Sequence, residues 1–222
     1  MPTRFRDSTP TTRLSPLPAP EQVSSAPGRL PMSTPRQASK LIVFDRDGTL
    51  IRHVPYLCDP TQVELLPGVR EGLSQLKLAG HKLFLHTNQS GVGRGYFPIE
   101  AVIRCNEELI RKLDFDTNVF EEICISPESP QQVMAYRKPS PRFGCELLVR
   151  YRLAPADMCY VGDNLTDLLT ASNIGCQGVG VNTGVHDLDH ELTQAGLTDK
   201  FAVCQDFAQV TAWLLQTMRD SA

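Results

Sequence analysis

Two acids, Asp45 and Asp47, stand one residue apart directly after the apolar run 41–44 in the stretch LIVFDRDGTL. Carboxylates so placed repel each other, and a third, Asp163, closes another apolar run in MCYVGD. Something cationic must compensate them. A hard divalent ion held by oxygen fits, and Mg²⁺ characteristically binds through one or two carboxylates while keeping waters and a substrate phosphate. Donors stand elsewhere in the chain to oppose the acids: Thr87 and Asn88 after KLFLH, the backbone of 88–91, and Lys138. Donors plus Mg²⁺ describe a cradle for a phosphoryl group. In such a cradle the two leading acids take different jobs. Asp45, held ionised by the metal, can attack phosphorus to give an aspartyl-phosphate. Asp47 can protonate the leaving alkoxide and later deprotonate the water that hydrolyses the intermediate.

These residues act together only if the fold gathers them. From Leu41 onward, short apolar runs alternate with longer amphipathic stretches: LIVF, PGVREGLSQLKLAG, KLFLH, a helical pattern over 99–113, and EEICI. PSPRFGCELLVRYR, MCYVGD, NLTDLLTASN and CQGVGV continue the alternation, and FAQVTAWLLQTM closes it as a last helix. The pattern predicts an α/β domain with a doubly wound, Rossmann-like parallel sheet covered by helices on both faces. Pro67 and Gly80 punctuate the start and end of the first crossover helix. Ligands of such sheets lie outside the carboxyl ends of the strands. Four strands would therefore deliver Asp45 and Asp47, Thr87 and Asn88, Arg137 and Lys138, and Asp163 to one rim. About 17 residues separate Leu50 from Gly68 and about ten separate Ser126 from Arg137, too few for a folded cap. The predicted site is open, and loops must exclude water from it.

The chain of 222 residues is 41% hydrophobic with a formal net charge of −3, which suits one domain and a small soluble ligand. No bulk charge draws it to nucleic acid or an anionic membrane, and no apolar run spans a bilayer. Residues 1–39 hold eight of the 17 prolines, five Arg, and only Asp7 and Glu21 as acids. That composition builds no core and reads as a disordered extension ahead of a domain over 40–222. Its alternatives are a transit peptide, which the prolines oppose, and a start at Met32. Seven scattered cysteines without a C-x-x-C pair read as reduced. The expectation is a cytoplasmic monomer that acts on a small phosphorylated molecule, without nucleic-acid or membrane partners. GVGRG at 91–95 lacks the Lys-Ser/Thr ending of a phosphate loop and reads as pliant backbone beside the phosphate site. His186 and His190 lie four apart, but HDLDHE shows no apolar face and reads as a solvated helix start. His81 and His86 read as structural.

The motif Asp45-Arg46-Asp47-Gly48-Thr49 resembles that of the haloacid dehalogenase-like phosphatases. Thr87 in FLHTNQSG, Lys138 in YRKPSP, and Asp163 with Asp167 in VGDNLTDLLTA are similar to the family's other motifs, in the same order. FDRDGTL, TNQSGVGRG and RKPSPRFG further resemble the branch that holds D-glycero-D-manno-heptose 1,7-bisphosphate 7-phosphatase and histidinol-phosphate phosphatase, the heptose enzyme more closely. The resemblance implies Asp45 as nucleophile, Asp47 as proton donor, and Thr87 and Lys138 as stabilisers of the phosphoryl group. It implies a metal on Asp45, the Asp47 carbonyl and Asp163. It implies substrate contacts from Arg46, His53 to Tyr56, Asn88, Gln89, Ser90, Arg137 and Asn164. Asp167 reads as an orienting residue or a first-turn helix acid.

The chain also departs from that branch, which usually carries a zinc loop of Cys-x-His and Cys-x-Cys before Arg-Lys-Pro. Here the segment reads CISPESPQQVMAYRKP, and only Cys124 matches a ligand; Ser126, Met134 and Tyr136 stand at the others. One thiolate cannot hold a structural zinc, so no zinc is expected. The remodelled loop leaves histidinol phosphate and, more remotely, a nucleic-acid 3′-phosphate open as substrates. A dehalogenase reading has no use for Asp47; a phosphate-binding module without turnover stays open as an alternative, although loss of Asp45, Asp47 or Asp163, which would support it, is not found.

Overall fold

The computed structural model describes residues 39–218, so the expected extension over 1–39 falls almost wholly outside the described residues. Six strands form one parallel sheet: β1 (Leu41–Phe44), β2 (Lys82–Asn88), β3 (Glu122–Ser126), β4 (Met158–Gly162), β5 (Gln177–Val181) and β6 (Ala202–Cys204). Their spatial order is β3-β2-β1-β4-β5-β6. The chain winds outward from β1 to β3, then returns to place β4 on β1's other side. That reversal puts the switch point, and the crevice for a ligand, between the carboxyl ends of β1 and β4.

Strand alternation sends successive side chains to opposite faces. Ile42 and Phe44 join one core with Leu85, Val161, Val179 and Phe207. Leu41 and Val43 join the other with Phe84, Phe143, Met158 and Tyr160. All four β1 residues are fully buried, as a strand covered on both faces must be. Helices α1 (Val69–Leu78), α3 (Ile99–Leu113) and α7 (Phe207–Thr217) cover the first face; α4 (Arg142–Tyr151) and α5 (Leu165–Ile174) cover the second. A short α2 (Ser90–Gly93) follows β2.

The crossover pattern matches the sequence expectation, and among the described residues no folded cap interrupts it. Two elements differ. β6 is a three-residue edge strand, AVC, partly buried at Ala202 and Val203 and buried at Cys204, too short to show a pattern of its own; pairing of Val179–Val181 with 202–204 creates it. The expected apolar-free start at His186 is instead the lead into α6 (Leu188–Gln194), capped by Asp187. Leu188 and Leu192, four apart, are buried on Leu168 and give this helix an apolar face. Among the described residues all seven cysteines are free thiols. No described helix is long and apolar enough to cross a membrane.

Candidate active site

The acids are set by the sheet itself. The Asp45 amide donates to the Val161 carbonyl at 2.8 Å, so the β1–β4 ladder runs one residue past β1 and fixes the carboxylate at the switch point. Asp163 leaves β4 directly after Gly162, and Asp167 sits in the first turn of α5. Carboxylate oxygens of Asp45, Asp163 and Asp167 all lie within 4.8 Å of one another. Among the described residues one cation faces them: Lys138 Nζ is 2.5 Å from Asp45 Oδ1 and 2.5 Å from Asp167 Oδ1. Burial pushes the Asp45 carboxyl up to about 7, against the pull of Lys138 and with help from Asp167 and Asp47. Burial, then repulsion from Asp45 and Asp167, pushes Asp163 up to about 8. Three buried carboxylates share one ammonium, and the shortfall of positive charge faces open space. An all-oxygen donor set with surplus negative charge suits a hard divalent cation.

Local sequence explains the close gathering. Gly48 takes φ +83°, and a Cβ there would lie 2.2 Å from Asp163 Oδ2, so both the turn and the contact require glycine. Thr183 Oγ1 donates to the Gly48 carbonyl at 2.6 Å and ties the loop after β5 to this turn. Asp167 works twice. Its Oδ2 accepts from the Asn164 amide at 3.1 Å while Asn164 Oδ1 accepts from the Thr166 amide, closing a reciprocal cap on α5. Its other oxygen holds Lys138.

Asp47 is held from behind. Arg46 Nε and Nη2 donate to its two oxygens at 3.1 Å each, and Gln89 Nε2 donates at 3.0 Å. Arg46 is fully buried, and its Nη1 donates to Asn106 Oδ1 of α3 at 2.8 Å. The expected substrate contact from Arg46 is therefore corrected: it lies outside the cavity and orients Asp47. Strand alternation already carried this signal, because a residue between two acids on a strand end faces away from them. Thr87 is likewise buried behind the wall, its hydroxyl accepting from Gln89 Nε2 at 2.7 Å. Asn88 borders the cavity yet spends its amide on Lys138, accepting from that residue's N–H at 3.0 Å and donating to its carbonyl at 3.2 Å.

A cavity of about 420 Å³ opens over Asp45, Asp47, Lys138 and Asp163. Its walls include His53, Tyr56, Gln89, Ser90, Arg137 and Asn164, all expected from the sequence. Tyr56 takes φ +52° and meets Tyr96 edge-on at 4.9 Å, making an aromatic margin. Phe97 and His186 also line the cavity and were not expected. His186 Nδ1 lies 3.0 Å from Glu191 Oε1. The carboxyl-end rule could have found His186, since it applies to the loop after β5 as it does to the other four.

At the segment of altered zinc ligands, burial and then Glu122 push the Cys124 thiol up to about 12, so it is a protonated thiol. Among the described residues, Asp45, Asp163 and Asp167 are the only group of three or more potential metal-ligating side chains within mutual reach.

Comparison with known proteins agrees with this geometry. The HAD-hydrolase-like family model matches residues 135–210. The chain is 34% identical over 178 residues to D-glycero-beta-D-manno-heptose-1,7-bisphosphate 7-phosphatase of Bordetella bronchiseptica, covering 80% of this chain and 98% of that one. It is 32% identical over 152 residues to the histidine biosynthesis bifunctional protein HisB of Buchnera aphidicola, 66% of this chain and 42% of that one. A crystal structure of the Bordetella heptose bisphosphate phosphatase, complexed with magnesium and phosphate, superposes with a TM-score of 0.72 at 34% identity, over 80% of this chain and 98% of the other. That of the Burkholderia thailandensis heptose bisphosphate phosphatase gives 0.58 at 26% identity, over 80% and 99%. At 34% identity over 80% of its length to one phosphatase of the family, and with the same fold, this chain belongs to the haloacid dehalogenase-like family and is a phosphatase.

Proposed function

We propose that the protein hydrolyses the 7-phosphate of D-glycero-D-manno-heptose 1,7-bisphosphate or a closely related sugar phosphate, in a Mg²⁺-dependent reaction through an aspartyl-phosphate on Asp45. The observation that carries the reading is the cluster of Asp45, Asp163 and Asp167 around the single ammonium of Lys138, at the floor of the cavity. Asp45, Asp163 and the Asp47 carbonyl would hold Mg²⁺, which when bound neutralises phosphoryl oxygens and keeps Asp45 ionised.

This chain's own groups supply the remaining steps. Asp45 attacks phosphorus and the P–O bond to the sugar breaks. Asp47, oriented by Arg46 and Gln89, must enter the cycle protonated; it gives that proton to the leaving oxygen and then takes one from the attacking water. Lys138 stabilises charge on the transferring group, and Asn88 holds the Lys138 backbone in register. Thr87 supports the floor through Gln89. His53, Tyr56, Ser90, Arg137 and Asn164 contact the rest of the substrate. No zinc takes part, because Cys124 is the sole thiol at the altered segment; stoichiometric zinc in protein purified without added metal would overturn this.

Histidinol phosphate is the second reading, favoured by the match to HisB and by the aromatic margin at Tyr56 and Tyr96. The test is phosphate release with Mg²⁺ or EDTA over both heptose 1,7-bisphosphate anomers, histidinol phosphate and a DNA 3′-phosphate. A sharp preference for one heptose anomer, lost in EDTA, is expected. Preference for histidinol phosphate replaces the substrate and keeps the chemistry, and activity that survives EDTA sinks the metal role. Asp47→Asn should slow alkyl phosphates more than aryl phosphates, whose leaving groups need less protonation; equal losses would remove Asp47 as the acid.

A further inference from the structure

Residues 127–141 carry Arg137 and Lys138 to the cavity with no helix or strand of their own. Side chains must therefore fix this segment. Lys138 is fixed from outside it, by Asn88 on its backbone and by ion pairs with Asp45 and Asp167 on its ammonium. Arg137 has neither support. Burial and the nearby positive charge of Arg94 both work against its guanidinium.

Glu128 supplies what is missing. Its Oε1 accepts from the amides of Ala135 at 3.2 Å and Tyr136 at 3.0 Å, and its Oε2 accepts from the Ser126 hydroxyl at the end of β3. Its backbone carbonyl accepts from Arg137 Nη1 at 3.2 Å. One residue thus joins the two ends of the loop through its carboxylate and touches the guanidinium through its main chain. The closed loop is seated on α2: the Gly93 amide donates to the Pro127 carbonyl at 2.9 Å, and a Cβ on Gly93 would lie 2.5 Å from that oxygen. On the other side His86 Nε2 meets the Tyr136 carbonyl at 2.9 Å.

We propose that Glu128 is a positioning residue, closing the loop over Ala135 and Tyr136 so that Arg137 stands preset at the cavity mouth as a donor for an anionic group of the substrate. The role of Arg137 rests on the phosphatase reading; closure of the loop by Glu128 does not. Because Lys138 has its own supports, loss of Glu128 weakens substrate binding more than it slows the chemical step. The negative charge of Glu128 also favours the Arg137 guanidinium, but closure of the loop depends on the reach of its two oxygens. A glutamine keeps an acceptor for the two amides and turns an N–H toward Ser126, whereas an aspartate is one methylene too short to reach them.

Steady-state kinetics on the phosphate ester that the wild type hydrolyses fastest, with hydrogen exchange at the 135 and 136 amides, test this. Glu128→Ala and Glu128→Asp are each expected to raise KM about tenfold with kcat within about threefold, and Glu128→Gln to return KM to within about twofold of wild type. In an Arg137→Ala background, Glu128→Asp should add less than about twofold, because the two residues act as a unit. Exchange protection at both amides should fall in Glu128→Asp and persist in Glu128→Gln, a readout that needs no turnover and separates failure of loop closure from failure of the substrate assignment. Full additivity with Arg137→Ala, equal damage from Gln and Asp, or unchanged protection in Glu128→Asp would each overturn the proposal.

Discussion

The two ends of the sheet treat buried charge differently. At the amino end of β1, Lys40 is 3% exposed and has one acid partner, Asp157, at 2.7 Å. The neighbouring His81 is buried, and burial with the Lys40 charge beside it lowers its pKa and favours the neutral ring. Charges there are matched one to one. At the carboxyl end three buried carboxylates face the single ammonium of Lys138, and Asp47 with Arg46 forms a separate pair beside them. Folding tolerates a matched pair, whereas surplus buried charge of one sign costs stability unless a ligand supplies the opposite charge. The imbalance therefore marks the end of the sheet that does work.

Removing charge from the crowded end should have its largest effect through Asp45. Asp45→Asn is expected to lower kcat at least about a thousandfold, since an amide is a poor nucleophile, while thermal stability holds or rises because one of three mutually repelling acids is gone. Activity within about tenfold of wild type would end the assignment of Asp45 as nucleophile. Lys138→Met acts on the same balance from the other side. It strands three carboxylates without a cation, and a loss of about 3–5 kcal/mol in urea unfolding is expected, accompanied by a loss of activity of at least about a hundredfold. A Lys138→Met protein as stable as wild type would mean that the carboxylates are not held in the charged state by this lysine.

The contrast between the ends was only half legible in the sequence. Asp45, Asp47, Thr87, Lys138 and Asp163 could be gathered from the alternation of strands and helices alone, because a parallel sheet delivers strand ends to one rim regardless of side-chain detail. What a side chain does once there depends on partners far along the chain. Alternation could have turned Arg46 away from the acids, but what holds it there, Asn106, lies 60 residues on. Asn88 reads as a substrate contact until Lys138, 50 residues on, takes both ends of its amide. β6 and the apolar face of α6 were hidden for a similar reason: a three-residue strand and two leucines show no period until β5 and Leu168 pack on them. Glu128 sits in SPESPQQ, a stretch whose composition suggests nothing beyond a loop.

A steric change sharpens the comparison without touching any charge. A Cβ on Gly184 would lie 1.8 Å from Asp163 Oδ2, 2.6 Å from its Cγ and 2.9 Å from its Cβ, so Gly184→Ala must push the Asp163 side chain from its place at the rim. If Asp163 holds the metal as proposed, a fall of at least about tenfold in Mg²⁺ affinity is expected, read from activity against Mg²⁺ concentration. Unchanged Mg²⁺ dependence would show that Asp163 is dispensable for the metal.

The smallest effect belongs to the matched end. Lys40→Met removes one partner of a pair whose acid is partly open to water, so Asp157 can be hydrated when the lysine is gone. A cost of about 1–2 kcal/mol is expected, with activity within about twofold of wild type. The pH dependence follows from the sign of the shift. The hydrogen bond from Lys40 holds the Asp157 carboxyl below its usual range, although burial alone would raise it. A carboxyl whose folded pKa is depressed contributes stability above its unfolded pKa and loses it as pH falls through the folded value. The stability gap between wild type and Lys40→Met should therefore be full near neutral pH, begin to shrink below about pH 4, and close only below the depressed folded value, where Asp157 is protonated in both states. A Lys40→Met variant that kept its stability but lost activity would reverse the comparison, because it would place functional charge at the amino end of the sheet as well.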